Sequence, residues 1–209
     1  MAHATAAPQA VAGALVEGPP PTPGERLDFE IVPRAGLPIV AVVAVLLIIA
    51  IAVNEKWPLM FLHVVAGAAW TIIDLFLGFV IGPILGKLSI PARIEVTTRL
   101  MPKMVLIMPT VVAVTLAAGW QLATNLGYNL TSYQYHGWVV ASFIVVGAMA
   151  VVALGLLEPA NIAALTELKK PRPNPEVIER LMKRFIYSAG IIGVLQISIL
   201  VIMTKLASG

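Results

Sequence analysis

The chain has 209 residues, 59% of them hydrophobic and only 12% charged, with a mean hydropathy of +0.91, far from the balance of a soluble globular domain. A formal charge of +3 would suggest nucleic acid in a soluble chain, but here Lys and Arg cluster between apolar blocks, as membrane topology is written, so no nucleic-acid partner is needed. The absence of cysteine excludes disulfides, thiolate metal sites, iron–sulfur clusters and covalently attached c-type haem, and leaves His, Met, Asp, Glu and Tyr as ligands.

Residues 1–35 are rich in Ala, Pro and Gly, with no apolar block and no secretory h-region. They read as a retained tail whose composition predicts disorder, and a partner subunit's cytoplasmic surface is the natural candidate to hold it. Residues 36–209 read as one transmembrane domain. A spanning helix needs about 20 mostly apolar residues, and five such segments follow at 37–53, 58–85, 104–123, 137–157 and 185–206. The expected fold is therefore an all-α, polytopic membrane bundle. The first segment is apolar all round, with no polar stripe to mark an internal face. KKPRPNPE at 169–176 is a loop, because its spaced prolines forbid a continuous helix.

Orientation follows from the basic residues. Arg26, Arg34, Lys87, Arg93, Arg99, Lys103, Lys169, Lys170, Arg172, Arg180, Lys183 and Arg184 fall on one side, and only Lys56 and Lys205 on the other. Cytoplasmic loops carry that excess, so the expected N-terminus is cytoplasmic and the C-terminus extracytoplasmic, in the inner (cytoplasmic) membrane. Trp57, Trp120, Tyr128, Tyr133, Tyr135 and Trp138 gather on the outer side as an aromatic belt.

The second segment carries both His63 and Asp74. At 1.5 Å per residue from Trp57, His63 lies roughly 9 Å along the helix, and Asp74 is near its middle. His63, Gly67, Trp70, Asp74 and Gly78 share one face, which must look inward, since a carboxylate at mid-membrane costs at least about 2.5 kcal/mol. Asp74 is a candidate proton relay or a packing acid, with Thr71, Gln196, Thr110 and Thr115 as candidate partners. Gly78 and Gly82 offer a close-approach surface for another helix. His63 is a candidate ligand of a b-type haem or a metal, alone or with His136, while Gly67 gives room for a flat cofactor and Trp70 could pack against it. Met60, one turn outward of His63, makes a copper site the alternative. A histidine bonded to a neighbouring backbone is the plain reading of the same residue. Met101, Met104 and Met108 read as adaptable packing, and Glu158 as one half of an interfacial ion pair with the basic second loop.

LHVVAGAAW at 62–70 resembles the "LH, small residues, W" signature of the copper-resistance-D-type proteins, the membrane-embedded protoporphyrinogen oxidases and their integral-membrane relatives. RLMPKMVLIMP at 99–109 and the Pro-containing exit from the fourth segment are similar to the same relatives. The resemblance covers segments two to five, with His63 and Trp70 carrying the motif, and it implies that His63 takes part in haem or copper handling. The glycine pair that commonly follows the tryptophan is replaced by Thr71, Ile72 and Ile73, and the further membrane histidines of the oxidases are absent, which speaks against porphyrinogen oxidation. Two functions follow: a membrane protein holding haem b or copper near its outer face, within a redox or respiratory-type complex, or a cofactor-free structural subunit of a larger complex. No nucleophile with its base, phosphate loop or dinucleotide fingerprint is present.

Overall fold

The computed structural model describes residues 28–208. Most of the tail expected at 1–35, residues 1–27, lies outside the described residues. Five helices are long and apolar enough to cross a membrane: α1 over Leu37–Val53, α2 over Lys56–Lys87, α3 over Ile90–Asn125, α4 over His136–Leu168 and α5 over Pro175–Ser208. No strand occurs among the described residues.

Short links make chain neighbours antiparallel. α1 stops at Asn54, whose left-handed φ of 60° is one that asparagine tolerates, with its N–H returned to the Ala50 carbonyl. The Asn54 side chain then accepts from Gln121 Nε2 at 2.6 Å and from Asn125 Nδ2, which ties the α1–α2 turn to the end of α3. At the opposite end residues 88–89 join α2 to α3. Arg93 folds back there, its Nε donating to the Leu85 carbonyl at 2.9 Å and its Nη2 to that of Gly86 at 3.0 Å, so that it caps α2. The link at 169–174 is held by Glu167, which is 5% exposed and accepts from the Asn174 N–H at 3.0 Å and from Lys170.

The main core is built from four helices: Trp70 of α2, Met108 and Val112 of α3, Met149 and Ala153 of α4, and Ile192, Ile199 and Ile202 of α5. α1 stays outside it, packing through Ala50 on Leu59 and Leu122. Ala50 is its one buried residue, and Ile39, Val42, Val45, Ile48 and Ile49 are all more than half exposed, as expected of a helix apolar all round. Of the tail's described end, Phe29 lies under Lys169, whose ammonium is 5.2 Å from the ring centroid.

Three helices run well beyond the apolar windows read from sequence. α3 starts fourteen residues before Met104, α4 continues eleven beyond Leu157 and α5 starts ten before Phe185. Hydropathy sees only the part suited to lipid, whereas the charged turns that follow remain helical. α4 survives Pro159 because a π turn over Ala153–Leu157 precedes it, and α2 has the same device, Leu77–Ile81 followed by Gly82 and Pro83. That turn also overturns the close approach expected at Gly78 and Gly82. A Cβ at Gly78 would meet nothing within 4 Å, and one at Gly82 would meet only the Leu77 carbonyl, 3.3 Å away within its own helix. The wide turn takes the two glycines out of the four-residue register that a shared contact face requires.

Candidate functional site

His63 sits on the side of α2 turned to α3. Its Nδ1 lies 2.9 Å from the Thr115 carbonyl, and since a carbonyl only accepts, Nδ1 carries the proton of that bond and Nε2 takes no part in it. The ring rests on Gly119, where a Cβ would come within 2.6 Å of the imidazole. Gly119 is therefore glycine to admit His63. One turn deeper, Gly67 faces Thr115, whose Cγ2 would lie 3.5 Å from a Cβ there. The room expected beside Gly67 for a flat cofactor is thus taken by Thr115. Trp70, 2% exposed, is committed to the main core among Met108, Val112 and Met149.

His136 opens α4, its N–H bonded to the Tyr133 carbonyl and its Nδ1 buried with no partner among the described residues. Depth separates it from His63. Phe143 of α4 meets Trp120, the neighbour of Gly119, with ring centroids 5.3 Å apart, and His136 lies seven residues, about 10 Å of helix rise, outward of Phe143. The structure therefore does not bring the two imidazoles to one level. Met60 packs against the Ala50, Leu59 and Leu122 cluster. No group of three or more His, Asp and Glu side chains able to hold a metal occurs among the described residues.

A second polar site lies about two to three turns along α2 from His63. Gln196 of α5, 0% exposed, spans two residues of α2: its Oε1 accepts from Thr71 Oγ1 at 2.8 Å and its Nε2 donates to Asp74 Oδ2 at 3.1 Å. The Trp70 indole Nε1, beside the same carboxyl, is buried with no hydrogen-bond partner among the described residues. Thr110 and Thr115 do not join the network, because each returns its hydroxyl to its own helix, to the Leu106 and Val111 carbonyls at 2.7 Å. No Lys or Arg among the described residues forms an ion pair with Asp74. Gln196 is thus a donor and an acceptor at once, a neutral staple between α5 and α2.

Glu158 departs from expectation. It is 8% exposed, Oε1 is buried without a partner, and no ion pair to the basic second loop forms. Its surroundings are protein because α4 does not leave the bundle at Leu157. Met108 and Met104 do pack in or on the core, and Met101 lines a cavity near the α2–α3 link. Sequence reasoning missed Gly119 and Arg93. A glycine at helical spacing within an apolar segment, level with a histidine on the preceding helix, was the available sign of the first.

Comparison of the chain with protein-family models, with curated proteins and with solved structures returned no match.

Proposed function

We propose that this protein is a multi-pass subunit of a larger complex in the cytoplasmic membrane, with its basic end in the cytoplasm, and that it serves there as a helical scaffold. The observation that carries the reading is the seating of His63. A histidine that donates to a backbone carbonyl and rests on a glycine of the facing helix works as a clasp between α2 and α3, as Gln196 does between α2 and α5. α1 supports the same reading, since most of its apolar surface is left for lipid and for a neighbouring subunit to cover.

One observation favours a second reading, in which His63 ligates a b-type haem or copper. Donation from Nδ1 to a carbonyl is how ligating histidines are oriented, and it leaves Nε2 open. The residues around it do not fit a haem laid on Gly67, because Thr115 fills that face and Trp70 is buried in the core.

A double-mutant cycle tests the clasp. Gly119→Ala alone should lower stability by about 1–3 kcal/mol, as overpacking against the ring does. In a His63→Ala background the same change should be neutral or stabilising, because Ala suits a helix better than Gly and the obstacle is gone. Additive effects would remove the clasp. An optical spectrum and metal analysis, on protein extracted gently with its partners, decide the other reading. A Soret band or a bound metal that disappears in His63→Ala would replace the scaffold with a cofactor site.

A further inference from the structure

The basic end of the bundle contains a cavity of about 200 Å³ that neither histidine nor Asp74 touches. We propose that it binds an anionic phospholipid, with an acyl chain in the cavity and the phosphate at Arg93 and Asn161. The inference rests on the membrane-spanning reading and is independent of the scaffold role.

The cavity exists because α2 and α4 break beside it. Pro83 and Pro159 have no N–H to give, and their rings exclude the carbonyls four residues earlier, those of Phe79 and Gly155. Each helix absorbs the clash in the preceding π turn, over Leu77–Ile81 and Ala153–Leu157. Leu77 and Gly82 line the cavity from one break, and Ala160 and Asn161 from just beyond the other. Gly86 also lines it, and a Cβ there would meet nothing within 4 Å.

Its walls are apolar except at Arg93, Thr97 and Asn161, and these three decide what fits. Asn161 lines the cavity, and its amide makes no side-chain hydrogen bond to another described residue, which leaves it available to a ligand. Arg93 uses Nε and Nη2 on the end of α2 and leaves Nη1 without an acceptor among the described residues. No carboxylate among the described residues lies within ion-pair distance of it, and Glu158, one turn from Asn161, is not part of the lining. A partly buried guanidinium without a counter-charge favours an anion, and its planar donors suit phosphate. A free phosphate would surrender its hydration against hydrocarbon walls, whereas a lipid places its chain on those walls and its phosphate at the mouth. Lys87, Lys103, Lys169 and Arg180 at the same end add the attraction to anionic headgroups expected of a basic pocket between spanning helices.

The test is native mass spectrometry of the full-length protein in mixed micelles of phosphatidylglycerol and phosphatidylcholine. Wild type should retain phosphatidylglycerol with a preference of about tenfold, the value of one charge-assisted contact. Gly86→Leu, which fills the cavity from an unobstructed position, should lose the retained lipid while melting as wild type does. Arg93→Gln should keep lipid but lose the preference. Because Arg93 also caps α2, Asn161→Leu serves as the second headgroup variant and should weaken retention without touching that cap. Equal retention of the two lipids by wild type, or undiminished phosphatidylglycerol on Gly86→Leu, overturns the proposal. Displacement of the lipid by soluble glycerol phosphate would do so too, by showing an anion site that needs no acyl chain.

Discussion

Asp74 and Thr71 depend on one side chain, the Gln196 amide, and the consequences of changing each are unequal. Asp74→Asn retains an oxygen that can accept from Gln196 Nε2, so the variant should assemble and melt close to wild type. Gln196→Leu keeps the volume but leaves a carboxyl and a hydroxyl without partners at the helix interface. Each such group costs about 1–3 kcal/mol, so a large drop in detergent melting temperature is expected. The reverse order of severity would show that the network does not hold α5 to α2. Much of this was legible. Asp74 had to face protein because lipid cannot solvate it, and Gln196 was among the polar residues on other helices expected to reach it, with Thr110 and Thr115, which do not. That His63 could bond a neighbouring backbone was one of its readings, and it does, but which carbonyl was not legible, because every residue has one and no residue type marks it. Thr71 was expected beside Asp74 and instead donates to Gln196, a choice set by an interhelical register that one helix's periodicity does not contain.

At the scale of elements, Pro83 and Pro159 sit at breaks within helices that continue beyond them. The dipeptides at 82–83 and 158–159 are plain in the sequence, but the residue that each π turn absorbs leaves no mark in hydropathy, so α4 was expected to end at Leu157. α3 shows the same tolerance, carrying Pro102 and Pro109 in its interior. Pro83→Ala restores an N–H for the Phe79 carbonyl and removes the clash that holds the turn open. Amide hydrogen exchange across residues 79–87 should therefore slow, by a factor that reports the regained hydrogen bond, about five- to tenfold for roughly 1 kcal/mol. Unchanged exchange would mean that packing around the cavity, and not the proline, sets the break.

Across the whole molecule the helices are longer than a bilayer needs. α3, at 36 residues, spans about 54 Å against a hydrocarbon core of roughly 30 Å. The surplus lies at the basic end, since the aromatic end is apolar up to its turns, and there the chain carries Arg93, Arg99, Lys103, Arg180, Lys183 and Arg184 on helix rather than on loop. Those residues are as basic as any trypsin target, but cleavage needs a stretch of chain that can leave its regular structure. Between the helices of that end only residues 88–89 and 169–174 are irregular, and Lys170 and Arg172 each precede a proline. Trypsin added to sealed vesicles with the cytoplasmic face outward should therefore cut the chain beyond residue 36 mainly at the Lys169–Lys170 bond of the longer link, with Lys87–Leu88 at the two-residue link the lesser site, and the same protease should find nothing to cut between the helices from the opposite face. Ready cleavage at Arg99 or Lys103 would mean that the projecting turns of α3 unravel in water. Cleavage at Lys169 from the outside would invert the molecule in its membrane.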